Sequence, residues 1–292
     1  MKTQSLLNTQ TSYPVQLRDI SHFYNETIVD YKFWSADLNM HFGYFIPFKT
    51  NPFKRDQMLN AMNDQVYNRL IKPTDKGTFV DLGCGMGGTM RHFLKRNPNI
   101  TMLGVTLSDK QVSEGNKHLK NVSGVILNED YRSTSIPSGS ITGTYAIESL
   151  CHCGHSPEAL REAYRILKKD GKLVIADAFL KKSPYKLKGL SSYSYKKLCS
   201  SWSLDGLGVV EEVSQNLKKI GFNSIQIENI SFRVAPSLFH VPFSILTYTF
   251  MQLIKGKRIK KTSKDNLMAS LFSLISGFHL NDFGYYIITA KK

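Results

Sequence analysis

The chain has 292 residues, 41% hydrophobic and 21% charged, a composition that excludes disordered and fibrous classes and suffices for a large core. Four cysteines are too few for a disulfide scaffold and suit a reducing compartment. Thirty-eight Lys and Arg against 23 Asp and Glu leave a formal charge of +15, which attracts anions without choosing among nucleic acid, membrane and phosphorylated small molecules.

Residues 1–35 read as helical and aromatic-rich. Their opening stretch, MKTQSLLNTQTSYPVQ, lacks a signal peptide's apolar core, so a cytoplasmic location is expected. A second helix over 53–71 stops before Pro73. Strands then alternate with helices: strands at 77–81, 100–106, 124–127, 141–147 and 172–178, helices at 89–96, 109–119 and 157–167. Short connections in this rhythm predict a parallel sheet covered on both faces. The regularity breaks after Phe179. Residues 180–208 are rich in Lys, Ser and Tyr, 211–220 form a helix ended by Gly221, 225–230 a strand, 236–276 an apolar helical region and 284–290 a last strand. The expected organisation is an N-terminal helical cap over 1–72 and one α/β domain over 73–292. Insertions at 180–208 and 231–280 are expected to close over the carboxyl ends of the strands, where doubly wound sheets bind ligands.

Residues 80–88, VDLGCGMGG, join the first strand of this alternation to its first helix. Gly83, Gly85 and Gly88 satisfy a G-x-G-x-x-G spacing, which alone is a weak signal. A dinucleotide site wants a carboxylate about 20 residues further on for the ribose. Here the second strand ends Gly104-Val105-Thr106-Leu107 without one, and Asp81 precedes the glycines, a poor neighbour for pyrophosphate and a good one for a cation. S-Adenosylmethionine carries an ammonium and a sulfonium and no phosphate, and fits better. The loop resembles the first motif of class I S-adenosylmethionine-dependent methyltransferases. The resemblance implies a Rossmann-like, doubly wound seven-stranded sheet whose last strand runs antiparallel, with donor contacts at Asp81, Gly83, Cys84, Gly85 and Gly87. Residues 104–108 with Gln111 resemble a variant of the second motif, in which Thr106, Leu107 and Gln111 stand where the ribose acid usually does. After the third strand, Asp130 is the expected adenine partner and Glu129 the alternative, with Tyr131 beside the ring and Ile147 completing the set.

The fourth strand ends in TYAIESLCHCGH, residues 144–155. Cys151, His152, Cys153 and His155 crowd together with no second pair nearby, so no metal site is expected there. Glu148, at a strand end facing the cleft, must be paired or functional. The string YAIESLCH resembles the corresponding motif of sterol C-24 and related terpenoid (prenyl diphosphate) C-methyltransferases, and Tyr31 to Trp34 with His41 to Tyr44 resembles their aromatic N-terminal segment. The likeness covers roughly residues 20–180, and the C-terminal region departs from the sterol enzymes. It implies methyl transfer to an alkene carbon of a prenyl diphosphate or sterol-like lipid through a carbocation. Aromatic faces stabilise such a cation without quenching it, and Tyr24, Tyr31, Trp34, Phe42, Tyr44 and Trp202 are the expected walls. Glu148, with His152 as runner-up, takes the departing proton unless the cation rearranges.

Residues 239–254, apolar and followed by a basic run over 255–261, fit an anionic membrane, a pocket wall reaching a diphosphate, or plain packing. Mg²⁺ is expected only with a diphosphate substrate, since no Asp-rich cluster marks a metal site. Two other functions stay open. One is O- or N-methylation of a small natural product. The other is a basic membrane- or nucleic-acid-binding protein on a methyltransferase fold, although no motif of nucleic-acid recognition or base methylation is present.

Overall fold

The computed structural model describes residues 15–28, 33–153, 156–256 and 258–292. In chain order these form α1 (Val15–Glu26), α2 (Arg55–Leu70), β1 (Gly77–Leu82), α3 (Gly88–Arg96), β2 (Ile100–Thr106), α4 (Asp109–His118), β3 (Gly124–Asn128), β4 (Ile141–Ile147), α5 (Glu158–Ile166) and β5 (Leu167–Leu180). The remainder comprises α6 (Gly189–Ser201), α7 (Val210–Ile220), β6 (Asn223–Asn229), α8 (Ser231–Leu238), α9 (His240–Ile254), α10 (Lys261–Phe278) and β7 (Phe283–Lys291).

Seven strands form one sheet in the order β3-β2-β1-β4-β5-β7-β6, and β7 runs antiparallel to both neighbours. Successive residues of the inner strands point to opposite faces, as the two-residue period of a strand requires. Phe79, Tyr145, Val174 and Ile287 enter one cluster with Met62 and Val66 of α2 and Phe93 of α3. Their chain neighbours Val80, Ala146, Ile175 and Ile288 enter a second cluster with Leu160 and Ala163 of α5 and Leu217 of α7. All of these side chains are buried, and each aromatic or large aliphatic removed from water contributes about 1.5–3 kcal/mol. Two-sided burial explains why these strands read as continuous apolar runs.

Strand β5 begins at Leu167, directly after α5, so the predicted helix ends one residue earlier and residues 168–171 are strand rather than the predicted connection. The apolar region after β6 is three helices, and Pro236 lies inside the first of them. The chain leaves β1 toward β2 on one side while β4 lies on the other, so the strand order reverses at the carboxyl ends of β1 and β4. That reversal opens a crevice, which α1, the 38–42 segment, α8 and α10 close from above. The 38–42 segment is fixed from below by a buried polar network. His41 bridges the Phe42 carbonyl (2.9 Å) and Asn63 (3.1 Å), while the Thr89 hydroxyl donates to Asn63 (2.9 Å). Burial pushes His41 down to about 4, so its ring is neutral.

Candidate active site

A cavity of about 430 Å³ fills the crevice, with the glycine loop at one end and apolar side chains of the covering helices at the other. Gly83 makes the turn out of β1 at φ +89, and a Cβ there would lie 2.4 Å from that of Ser149, so no larger residue fits. Gly83, Cys84 and Gly85 line the cavity. Gly87 does not. It caps α3 at φ +72, and a Cβ there would meet Ile126, Met90 and Leu119, so its role is to start the helix.

Asp81 faces this end of the cavity from β1. It is 3% exposed, and among the described residues the Tyr145 hydroxyl is its hydrogen-bond donor, at 2.8 Å. Burial pushes its carboxyl up to about 7 despite that bond. A buried acid with one neutral partner can hold a cation, and the ammonium of S-adenosylmethionine suits it. Thr106, Leu107 and Gln111 also line the cavity. The Thr106 hydroxyl donates to Gln111 Oε1 (2.6 Å), and Ser108 caps α4 by accepting from the Gln111 amide (3.1 Å). Asp130 reaches the wall, but its carboxylate is clamped by Arg132, whose Nε and Nη2 donate at 2.8–3.1 Å. Glu129 turns away to Ser135, which leaves Asp130 as the carboxylate of this pair on the cavity wall. Tyr131 and Ile147 also line the cavity, and the Tyr131 hydroxyl donates to the Ser149 carbonyl (2.7 Å).

Glu148 sits at the end of β4 with φ +49, a left-handed conformation that costs a non-glycine residue about 1–2 kcal/mol. The turn aims its carboxyl into the cavity, where the Phe42 amide (2.6 Å) and the Tyr285 hydroxyl (2.8 Å) both donate to Oε1. Among the described residues no hydrogen bond falls on Oε2. Burial is the main cause that raises Glu148 to about 8; the Phe42 amide opposes it, the nearby Asp177 adds to it, and Tyr285 opposes it. Asp177, a second cavity carboxyl, accepts from the amides of Leu150 (3.1 Å) and Cys151 (3.3 Å), and burial raises it to about 7. His152 meets the Tyr24 hydroxyl through Nε2 (2.6 Å), while Nδ1 faces the Ser203 backbone without reaching hydrogen-bond geometry. Burial lowers this ring to about 4, so it is neutral and a weak base.

Of the expected aromatic walls, Tyr24, Phe42 and Trp202 line the cavity. Trp34 lines a smaller side chamber that shares Phe42, Glu148 and Trp202 with the main one, and Arg55 stacks over its ring at 4.5 Å. Tyr44 is not a wall: its amide bonds the Met58 carbonyl (2.8 Å) and its ring packs on the core beside α2. Tyr31 and His155 lie outside the described residues. Phe23, Phe232, Phe239, Phe278 and Tyr285 also line the cavity and were not anticipated. Among the described residues no group of three or more His, Cys, Asp and Glu is placed to hold a metal.

Residues 80–175, which include Asp81 and Glu148, match the family model of a methyltransferase domain. Over these residues the chain carries a methyltransferase domain. The 24-methylenesterol C-methyltransferase 2 of Arabidopsis thaliana is 23% identical over 73% of this chain, which spans 58% of that enzyme's length. An S-adenosyl-L-methionine-dependent Diels-Alderase, iccD of Talaromyces variabilis, is 27% identical over 73% of this chain and 76% of its own. The solved geranyl diphosphate C-methyltransferase of Streptomyces coelicolor A3(2), in complex with Mg²⁺, geranyl diphosphate and S-adenosyl-L-homocysteine, superposes with a TM-score of 0.73. It covers 97% of this chain and 99% of its own at 17% identity, and so shares the fold. In this methyltransferase domain the cavity lies where such a sheet binds ligands, with Asp81 and the Gly83–Gly85 turn at one end of it.

Proposed function

We propose that this chain methylates an alkene carbon of an isoprenoid, a prenyl diphosphate or a sterol-like lipid, with Glu148 as the base. The observation that carries the reading is a buried carboxyl, held on one oxygen by Phe42 and Tyr285, in a chamber walled by rings. When bound, S-adenosylmethionine supplies an electrophilic methyl group on a cationic sulfur. Asp81 holds the ammonium, and the Gly83–Gly85 backbone allows the close approach that alignment needs. Tyr24, Phe42 and Trp202 present π faces to positive charge developing on the acceptor, each contributing about 0.5–2 kcal/mol. Glu148 needs no strong base character beforehand. A neighbouring cation favours its ionised form, so Glu148 is a carboxylate able to accept when the C–H next to the carbocation becomes strongly acidic. Relatives named for sterol and geranyl diphosphate C-methylation support the substrate class.

The test incubates the protein with methyl-labelled donor and a panel of prenyl diphosphates, sterols and phenols. Label on carbon supports the proposal. Label on oxygen or nitrogen overturns it, and so does a rearranged product that carries no label, the outcome expected of a cyclase on this fold.

Tyr285→Phe is expected to move the pH profile. Its hydroxyl stabilises ionised Glu148, so removal raises the rising limb of kcat/KM from about 8 by roughly one to two pH units, the equivalent of a hydrogen bond to a charged group. An unmoved limb would show that Tyr285 only packs.

A further inference from the structure

We infer that α9 and the turn before α2 form a docking surface for an anionic lipid bilayer, with the cavity rim inside it. The inference concerns the outer surface and does not depend on which acceptor the site methylates. Helix α9 is apolar on two faces. Val241 and Tyr248 face inward and are buried. Phe239, Phe243, Leu246, Phe250 and Leu253 recur at spacings of three and four and form an outward stripe, with Phe243 70%, Phe250 63% and Leu253 71% exposed. Large side chains left bare in a row mark an interaction site.

A second exposed aromatic group adjoins the start of this helix. Phe48, wholly exposed and at φ +62, and Phe53 sit on a turn tied to α9 by His240 and the Pro52 carbonyl (2.6 Å). A bulky ring held bare on a strained backbone needs a reason outside the fold.

Two features select a membrane. The far end of α9 runs into exposed Lys255, Arg258, Lys261 and Lys264, none of which is ion-paired among the described residues, beside the Leu253–Ile254 end of the stripe. This places cations where lipid phosphates meet acyl chains. Second, Phe239, Phe278 and Leu280 line the cavity and are also exposed, so the stripe begins at the cavity's own rim. An apolar acceptor would pass from bilayer to site without crossing water. Residues 231–254 match a membrane span in length and composition. However, α9 alone rises only about 22 Å, against about 30 Å of hydrocarbon, and its inner face packs on the protein. It lies on the bilayer.

The experiment is co-sedimentation with vesicles of phosphatidylcholine alone and of phosphatidylcholine mixed with phosphatidylglycerol. Binding to the mixed vesicles, weakened by salt, is expected. Phe243→Glu with Phe250→Glu should cut it at least about tenfold, and Lys255→Glu with Arg258→Glu should remove the preference for anionic lipid. Calorimetric donor binding by both variants confirms that they fold. No vesicle binding by the unmodified chain overturns the inference. So does a concentration-dependent dimer that Phe250→Glu dissociates, which would assign the stripe to a second copy.

Discussion

Replacing Glu148 by Gln lowers turnover by about two to four orders of magnitude and leaves donor affinity unchanged. The amide keeps the shape and still accepts from the Phe42 amide and the Tyr285 hydroxyl, so the segment over the cavity stays in place. What is lost is a group able to take a proton. In the unmodified chain the carboxyl titrates near 8, so kcat/KM rises with pH up to about 8 and levels above it. Glu148→Gln should flatten that limb. If the variant turns over normally, Glu148 is only a strut. A fall in both donor affinity and turnover would point to a collapsed cavity, which retained thermal stability would exclude.

The second large effect is at the other end of the cavity. Asp81→Asn weakens donor binding by about a hundredfold or more, because a buried charge pair loses one partner. The sign of the pH dependence follows from the raised carboxyl. Below about 7 the free protein holds Asp81 neutral, while the donor's ammonium favours the carboxylate. Binding under mildly acidic conditions therefore releases a proton, apparent affinity weakens as pH falls through 7, and release fades above 8. Titration calorimetry in buffers of different ionisation enthalpy reads the proton directly. Asp81→Asn should bind weakly with no release, and unchanged release in that variant would place the titrating group elsewhere.

The sheet and the glycine loop were legible because their signals are local. Strand period, helix caps and a glycine at φ +89 all act within a few residues. Glu148 was legible for a similar reason, since a lone carboxylate ending the run TYAI has few structural explanations. Its partners were not. Tyr285 reaches it only because β7 inserts beside β5, across 137 positions of chain, and Asp177 joins because β5 pairs beside β4. The Arg132 clamp on Asp130 depends on a turn that neither residue specifies. Tyr44 and Phe42, two apart, seemed equivalent in sequence, yet the Tyr44 amide bonds to Met58 turns one toward the core while the other faces the cavity. The helices after β6 were the least legible. A segment apolar on both faces has no phase to read, and only the folded chain separates the inner face of α9 from its bare stripe.

The central claim is that carbon accepts the methyl group and a C–H hydrogen leaves through Glu148. It is tested most directly with an acceptor from the panel carrying deuterium at both carbons of its double bond and at every carbon flanking them, turned over with labelled donor. One new carbon–methyl bond and one deuterium lost to solvent are expected for each methyl gained, with both events slowed together in Glu148→Gln. Methyl gain with all deuterium retained and the label on oxygen or nitrogen would contradict it.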